Sequence, residues 1–270
     1  MMKAHLFRAA CLTNMHVGSG EENYNIIDKE VERDPVITYM PVIHASGVKG
    51  ALKEHCEACM DKKAVTQIFG NPDGDKKTIA GNYKFFGASL IARPLRVSQG
   101  KASFILASTP EIIKTYITFL DGIGYRRFSE ISTELEGLEI GNAGFVSVSQ
   151  DIKEIEGKCV VMPKANISNA IRALFHDKPF ALTESLKEYS LPVIARNKLD
   201  ENGISENLWY EEIVPHQSIF YFAVLAPDKV NSNGIEVLYN DFKKAVEENP
   251  VQFGGNASIG YGFTRVEEVE

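Results

Sequence analysis

The chain contains no stretch of about 18 consecutive apolar residues, so it offers no transmembrane helix. Its opening residues, MMKAHLFRAACLTNMHVG, lack a continuous apolar segment followed by a small-residue cleavage site. A secretory signal is therefore not expected, and a cytoplasmic protein is. The 270 residues include only four cysteines, too few for a disulfide framework in that setting. There is no low-complexity linker and no short repeat. The GxxxxGK[ST] pattern of a Walker A loop is absent, as is a GxGxxG turn within a βαβ unit. His55-Cys56-x-x-Cys59 resembles half a zinc site, but no second CxxC or His pair has suitable spacing. Cys56 and Cys59 are instead expected on a buried helix face together with Val48, Ala51, Leu52 and Met60.

Charge is distributed unevenly. The net charge is −7 and the sequence pI about 5.5, which argues against a nucleic-acid protein of the ordinary basic kind. Yet no Asp or Glu occurs from Lys76 to Pro110, where Lys76, Lys77, Lys84, Arg93, Arg96 and Lys101 fall. A local basic strip on an acidic body can still bind phosphate, although a solvated surface would read the same way.

Apolar residues are 44% and charged residues 24% of the chain, as in an ordinary folded protein. Lys3–Leu12 reads as an alternating strand and Thr13–Asp34 as a polar loop. Tyr39–Ile43 is a short apolar run, and Ser46 is placed to cap a helix continuing to Met60. Residues 71–82 are turn-rich. Phe85–Ile91 and Ala102–Ala107 read as strands, and Pro110 opens a helix to about Leu120. Cys159–Met162 reads as a strand, and Ser168–Phe175 and Leu182–Tyr189 as short helices. Ser218–Leu225 is a buried strand, Gly234–Glu248 an amphipathic helix and Phe263–Val269 a last strand. The pattern predicts an α+β fold on antiparallel sheets, for which the ferredoxin-like βαββαβ arrangement is one solution. Within residues 190–217, LPVIARN and LWYEEIV flank the turn DENGIS and predict a projecting hairpin. That hairpin carries the only tryptophan, Trp209.

Three segments carry chemistry. In the first, Ser46, Gly47, Lys49 and Lys53 lie at a helix start, where free N–H groups and a positive dipole end suit phosphate; the two lysines share a helix face. The second, Phe253–Phe263, places Gly254, Gly255, Asn256, Ser258, Gly260 and Tyr261 in a loop of backbone donors with an aromatic able to stack a base. The third runs from Gly18-Ser19-Gly20-Glu21-Glu22 through Asp28 to Arg33-Asp34, just after His16. A loop acid beside an arginine can hold a divalent ion or orient an attacking hydroxyl. Glu211-Glu212 in the hairpin is a second acidic candidate. Each segment alone also fits a bland reading: an amphipathic helix, a glycine turn, a charged loop, polar strand residues.

Taken in order, His16-Val-Gly-Ser-Gly20, Asp28…Arg33-Asp34, Ser46-x-x-Lys-Gly-Ala-Leu52 and Gly254-Gly-Asn-x-x-x-Gly-Tyr-Gly-Phe263 resemble the RAMP superfamily of CRISPR proteins. Asn207-Leu-Trp-Tyr-Glu-Glu-x-x-Pro215 narrows the resemblance to the repeated, Cas7-like backbone subunits of type III-B (Cmr) effector complexes. The resemblance implies one RAMP domain over 1–270 with a ferredoxin-like (RRM-like) core. It implies insertions at about 13–38, holding a catalytic loop, and at 190–217, forming a thumb hairpin. The implied activity is a metal-dependent endoribonuclease, using Mg2+ or Mn2+, that cuts guide-matched target RNA at regular intervals through the 2′-hydroxyl. Asp28 matches the catalytic, metal-holding position, with His16 and Glu211 as catalytic candidates beside it. The implied partners are guide RNA, complementary target RNA, further copies in a head-to-tail filament and other Cmr subunits, but no membrane. His44 and Lys53 depart from the usual proline and arginine. Alternatives are a non-catalytic guide-binding scaffold, a stand-alone guide-processing endonuclease using His16 or His44, and a ferredoxin-like enzyme acting on a small molecule.

Overall fold

The computed structural model describes residues 2–18, 27–71, 79–136, 140, 144–149, 151–163, 167–228 and 235–269, excepting the side chains of 235–237. Ser19 to Glu22, Lys76, Lys77 and Gly234 therefore lie outside the described residues. The fold is α+β, as expected. The chain groups into two compact units. One comprises Met1–Ser89, Leu191–His216 and Tyr221–Glu270, the other Leu90–Ser190 and Gln217–Phe220.

The first unit opens with strand β1 (Met2–Cys11), followed after the loop by β2 (Val42–Ile43), helix α1 (Ala45–Cys59), helix α2 (Lys62–Phe69), β3 (Gly70–Asn71), β4 (Ile79–Ala80) and β5 (Lys84–Phe85). β1 was expected to alternate, but it is buried on both faces along most of its length. His5 and Arg8 are buried with it because Glu268 and Glu267 satisfy them. α1 begins one residue before Ser46, with His44 at the cap position and no side-chain cap. The His44 carbonyl accepts the first helical bond, from the Val48 amide at 2.9 Å, which puts Ser46 inside the first turn and not at the cap. Val48, Leu52 and Cys56 form the buried stripe, while Cys59 lies one turn on and is exposed, contrary to expectation. Burial pushes the Cys56 thiol up to about 12, so it stays protonated and inert at neutral pH.

The second unit is a ring of strands with helices around it. β6 (Ala88–Gly100) contributes Leu90 onward, then come β7 (Phe104–Ser108), α3 (Pro110–Gly122), α4 (Ile131–Glu136), β8 (Phe145–Ser147), β9 (Ile152–Ile155), β10 (Lys158–Val161), α5 (Asn169–Leu174) and β11 (Phe180–Leu182). The hydrogen-bonded order is β6–β7–β11–β8–β10–β9, and β9 pairs back onto β6. Closure leaves this ring no free edge strand. α3 starts where proline permits, with the Thr109 hydroxyl accepting the Ile112 amide at 3.1 Å. The helix expected over 182–189 is absent. The buried Arg93 guanidinium takes the carbonyls of Leu186, Tyr189 and Ser190, groups that a helix would have used itself. Arg93 is thereby also removed from any surface basic strip.

The chain then returns to the first unit with β12 (Val193–Leu199), β13 (Ser205–Glu212), β14 (Ile219–Pro227, from Tyr221), α6 (Ile235–Glu248), β15 (Val251–Gln252) and β16 (Phe263–Glu268). β16 runs antiparallel to β1, Phe7 opposite Glu268, and β14 lies on β1's other side. α1 and α6 pack together. Beneath them Phe7 stacks on Phe222 at 5.4 Å and Phe69 on Phe85 at 4.9 Å, with Phe242 edge-on to both Phe7 and Phe69. β12 and β13 form a two-stranded sheet separate from the main one. Their outward side chains Val193, Leu199, Leu208 and Tyr210 are exposed.

Candidate active site and nucleic-acid interface

Every residue the sequence singled out as catalytic or RNA-binding lies in the first unit. The loop carrying Asp28 runs along the second hairpin strand. Asp28 and Lys29 both donate their amides to the Tyr210 carbonyl, at 3.1 and 3.2 Å, and the Lys29 carbonyl accepts the Glu212 amide at 2.9 Å. The Asp28 carboxylate folds back so that Oδ2 accepts the Tyr210 amide at 2.7 Å. This short charge-assisted bond pins an otherwise exposed acid to the base of the hairpin. Its other oxygen has no partner among the described residues.

Successive strand residues point to opposite faces, so Glu211 and Glu212 serve different neighbours. Glu212 accepts the Val31 amide at 3.1 Å and the Arg33 guanidinium, fixing the loop beyond Asp28. Glu211 is 1% exposed. Arg196 donates to one of its oxygens at 2.8 Å and the Asn256 side chain to the other at 2.6 Å. Both carboxylates are thus neutralised by an arginine on an adjoining segment, which a buried charge requires.

His16 is buried, and its Nδ1 lies 2.8 Å from the Glu212 carbonyl. A carbonyl only accepts, so Nδ1 carries the proton. The His16 carbonyl receives the Gly255 amide at 2.9 Å. Gly254 beside it has φ of +80°, and a Cβ there would fall 2.3 Å from that same carbonyl, so only glycine fits. Asn256 follows in the left-handed region at φ 64°. Tyr261 is half-buried with the Arg196 guanidinium over its ring at 5.8 Å. Ser258 and Gly260 are exposed. Glycine loop, hairpin, His16 and Asp28 loop are therefore one bonded assembly.

The start of α1 joins it through the Asp28 loop. The His44 ring reaches Glu32 at 3.2 Å, and the Glu32 carbonyl accepts the Val42 amide at 3.0 Å. Ser46, Gly47 and Lys49 are exposed there. Ser46, Lys49 and Lys53 line one groove with Phe69, Gly70 and Ile79. Lys53 also leans on Glu57 at 3.5 Å, a weak surface pair.

Two participants went unnoticed in the sequence. Arg196 sits in a run read only as strand, and Lys29 adjoins Asp28 with no motif of its own. Among the described residues no group of three or more His, Cys, Asp or Glu converges as a metal cage. Asp28 can supply one carboxylate oxygen. Mg2+ commonly takes one or two carboxylates and completes its shell with water and substrate phosphate, so the residue fits such an ion as a single protein ligand.

Comparison with known proteins gives a consistent picture. A sequence profile of the RAMP superfamily matches residues 8–266. The CRISPR system Cmr endoribonuclease Cmr4 of Pyrococcus furiosus is 25% identical over 289 residues, covering 98% of this chain and 95% of that protein. Among solved structures, the type III-B Cmr-beta complex bound to cognate target RNA has a similar chain with a TM-score of 0.76 at 22% identity, covering 98% and 97% of the two chains. Oligomeric Cmr4 from Pyrococcus furiosus is similar with a TM-score of 0.71 at 19% identity, with both chains fully covered.

Proposed function

The chain belongs to the RAMP superfamily, and from that premise we propose that it is a repeated backbone subunit of a type III-B CRISPR effector complex, binding guide RNA and cleaving complementary target RNA. The observation that carries the cleavage is Asp28 locked to Tyr210 at the base of an exposed hairpin. The similarity to an endoribonuclease over nearly the whole chain supports it. The strand-to-helix passage from β1 to α1 and the passage from β14 through α6 to β16, with β16 and β14 flanking β1, support a ferredoxin-like core. The separate β12–β13 hairpin, with Leu208 and Tyr210 outward, suits a thumb that wedges apart stacked base pairs.

In an A-form duplex the 2′-oxygen is not in line with the neighbouring phosphorus. Displacing a nucleotide beside the hairpin frees it to align. The 2′-oxygen then bonds to phosphorus as the P–O5′ bond breaks, leaving a cyclic phosphate and a 5′-hydroxyl. The free oxygen of Asp28 takes the 2′-proton, and water returns one to the leaving oxygen. His16 and Glu211 act behind Asp28 as positioning residues, because His16 Nδ1 is turned to Glu212 and both Glu211 oxygens to Arg196 and Asn256. A Mg2+ or Mn2+ would be held by Asp28 Oδ2, which keeps a second lone pair beside the Tyr210 amide, and would supply further charge neutralisation at the phosphate.

Ser46, Gly47, Lys49 and Lys53 on α1, with Gly254 to Tyr261, form the guide-facing surface. Recognition through backbone and shape leaves sequence to base pairing, and several copies sharing one guide head-to-tail need little basic charge each. Other Cmr subunits complete the particle, which acts in the cytoplasm. The test is a denaturing gel of labelled target RNA with the reconstituted complex, wild type or Asp28→Ala, with magnesium or chelator. An evenly spaced ladder requiring both magnesium and Asp28 is expected. Intact RNA held by the complex in every lane would leave a scaffold.

A further inference from the structure

This inference deepens the RNA-cleavage reading and rests on it. Along the hairpin and the Asp28 loop the arginines and Lys198 are each matched with a carboxylate: Arg33 with Glu212, Arg196 with Glu211 and Lys198 with Glu206. Lys29 is different. It has no carboxylate partner among the described residues, yet its side chain is held in place. Its Nζ lies 5.6 Å from the ring centroid of Trp209. Its backbone is fixed as well, since the Lys29 amide donates to the Tyr210 carbonyl and the Lys29 carbonyl accepts the Glu212 amide.

Trp209 is well suited to that work. Arg196, its direct cross-strand partner, also lies over the ring at 5.4 Å, already neutralised by Glu211. The indole Nε1 is buried with no hydrogen-bond partner among the described residues, so none of them holds the residue by its polar atom. What it offers is the aromatic face that attracts cations most strongly. A carboxylate at this position would orient Lys29 equally well but would cancel its charge. The ring orients the ammonium and leaves the charge available to an anion, one residue from Asp28.

We propose that Lys29 binds a non-bridging oxygen of the RNA phosphodiester at the cleavage site and that Trp209 is its positioning residue. Negative charge grows on those oxygens as the 2′-oxygen attacks, so a fixed cation acts mainly on rate.

The experiment uses the reconstituted complex with guide and target. Single-turnover cutting is measured at saturating target, and target affinity is measured separately in the Asp28→Ala background. Lys29→Gln is expected to slow cutting roughly 10–100-fold while changing target affinity by no more than about threefold. Lys29→Arg, which keeps the cation, should restore most of the rate, a rescue that a merely structural residue would not show. Trp209→Phe should fall between wild type and Lys29→Gln. Adding Lys29→Gln to Trp209→Phe should cost no more than Lys29→Gln alone, because both act through one contact. Amine labelling of the wild-type complex read by mass spectrometry should show Lys29 protected when target RNA binds. Wild-type cutting by Lys29→Gln, fully multiplicative losses in the double variant, or an unprotected Lys29 would each overturn the proposal. Protection of Lys29 in a complex that binds but never cuts would keep the phosphate contact and refute the nuclease reading instead.

Discussion

Asp28 and Tyr210 exchange two hydrogen bonds: the Asp28 amide donates to the Tyr210 carbonyl at 3.1 Å, and the Tyr210 amide donates back to the Asp28 carboxylate at 2.7 Å. The candidate catalytic acid and the hairpin therefore form one mechanical unit. On the proposed function, a duplex that displaces the hairpin base would displace the acid with it and so couple target engagement to the geometry of cutting.

Asp28→Asn separates the two duties of that carboxylate. The amide oxygen still accepts from Tyr210, but the charge and the proton-accepting power are gone. Cutting should fall by at least about 100-fold, while the melting temperature shifts by no more than a few degrees, because the site is exposed. Parallel cleavage assays and thermal melts check both numbers. A melt lowered as much as that of a core variant would mean that the residue is structural.

Glu211 should behave in the opposite way. Glu211→Ala leaves the Arg196 guanidinium and the Asn256 amide without their buried acceptor, an expected loss of about 2–4 kcal/mol, since Arg196 is only partly buried. Replacing both partners, as Glu211→Met with Arg196→Met, should cost less than Glu211→Ala alone, because no unpaired charge is left. Urea denaturation of wild type and these two variants decides it, and a double variant less stable than the single one would contradict the buried-pair account.

Much of this fold was legible because local signals agreed with one another. Ser218–Leu225 carries a continuous buried run from Ile219 on and became β14. Pro110 and Ser168 marked helix starts that the structure keeps. α2 was missed although Asp61 caps it, accepting the Lys63 amide at 2.8 Å, because the preceding helix pattern ran almost into it. β6 proved longer than its apolar core, continuing through Pro94 to Gly100. The site was legible only in part. Asp28 stood in a recognisable order of motifs, but its bond to Tyr210 spans 182 positions and follows from tertiary register. Arg196 shows why counting fails. Leu199 pairs with Ser205, and a regular ladder from there would set Arg196 opposite Leu208. A bulge between Lys198 and Leu199 shifts the register, and Arg196 meets Trp209 instead, on the face that holds Glu211.

Two glycines, Gly254 in the loop before β16 and Gly50 in α1, give opposite predictions. At Gly254, φ is +80° and a Cβ would collide with the His16 carbonyl, so Gly254→Ala should destabilise by about 2 kcal/mol or more. At Gly50, inside α1, a Cβ meets nothing within 4 Å, so Gly50→Ala should stabilise by about 0.5–1 kcal/mol. Thermal melts of the two variants should move apart in sign. If Gly50→Ala keeps its added stability yet loses guide RNA, the α1 face contacts the guide backbone closely enough to need the missing side chain.

Acid should attack the first unit through Glu268. Burial pushes this carboxyl up, but hydrogen bonds from His5, Tyr239 and Lys243 and the charge of His5 outweigh burial and hold it at about 2, against 4.5 when unperturbed. A carboxyl depressed in the folded state stabilises the protein fully above its unfolded value, and that stabilisation disappears as pH falls toward the folded value. The contribution is at most about 3 kcal/mol and should vanish between about pH 4.5 and 2. Glu268 sits on β16, where its ring partner His5 ties it to β1 two residues from Phe7, so protonation loosens the pairing that closes this sheet over the aromatic core. The measurement is the urea midpoint of wild type and Glu268→Gln across that range. The two curves should be separated at neutral pH and converge as the pH approaches 2. A constant separation down to pH 2 would show that the carboxyl contributes through packing and not through its charge.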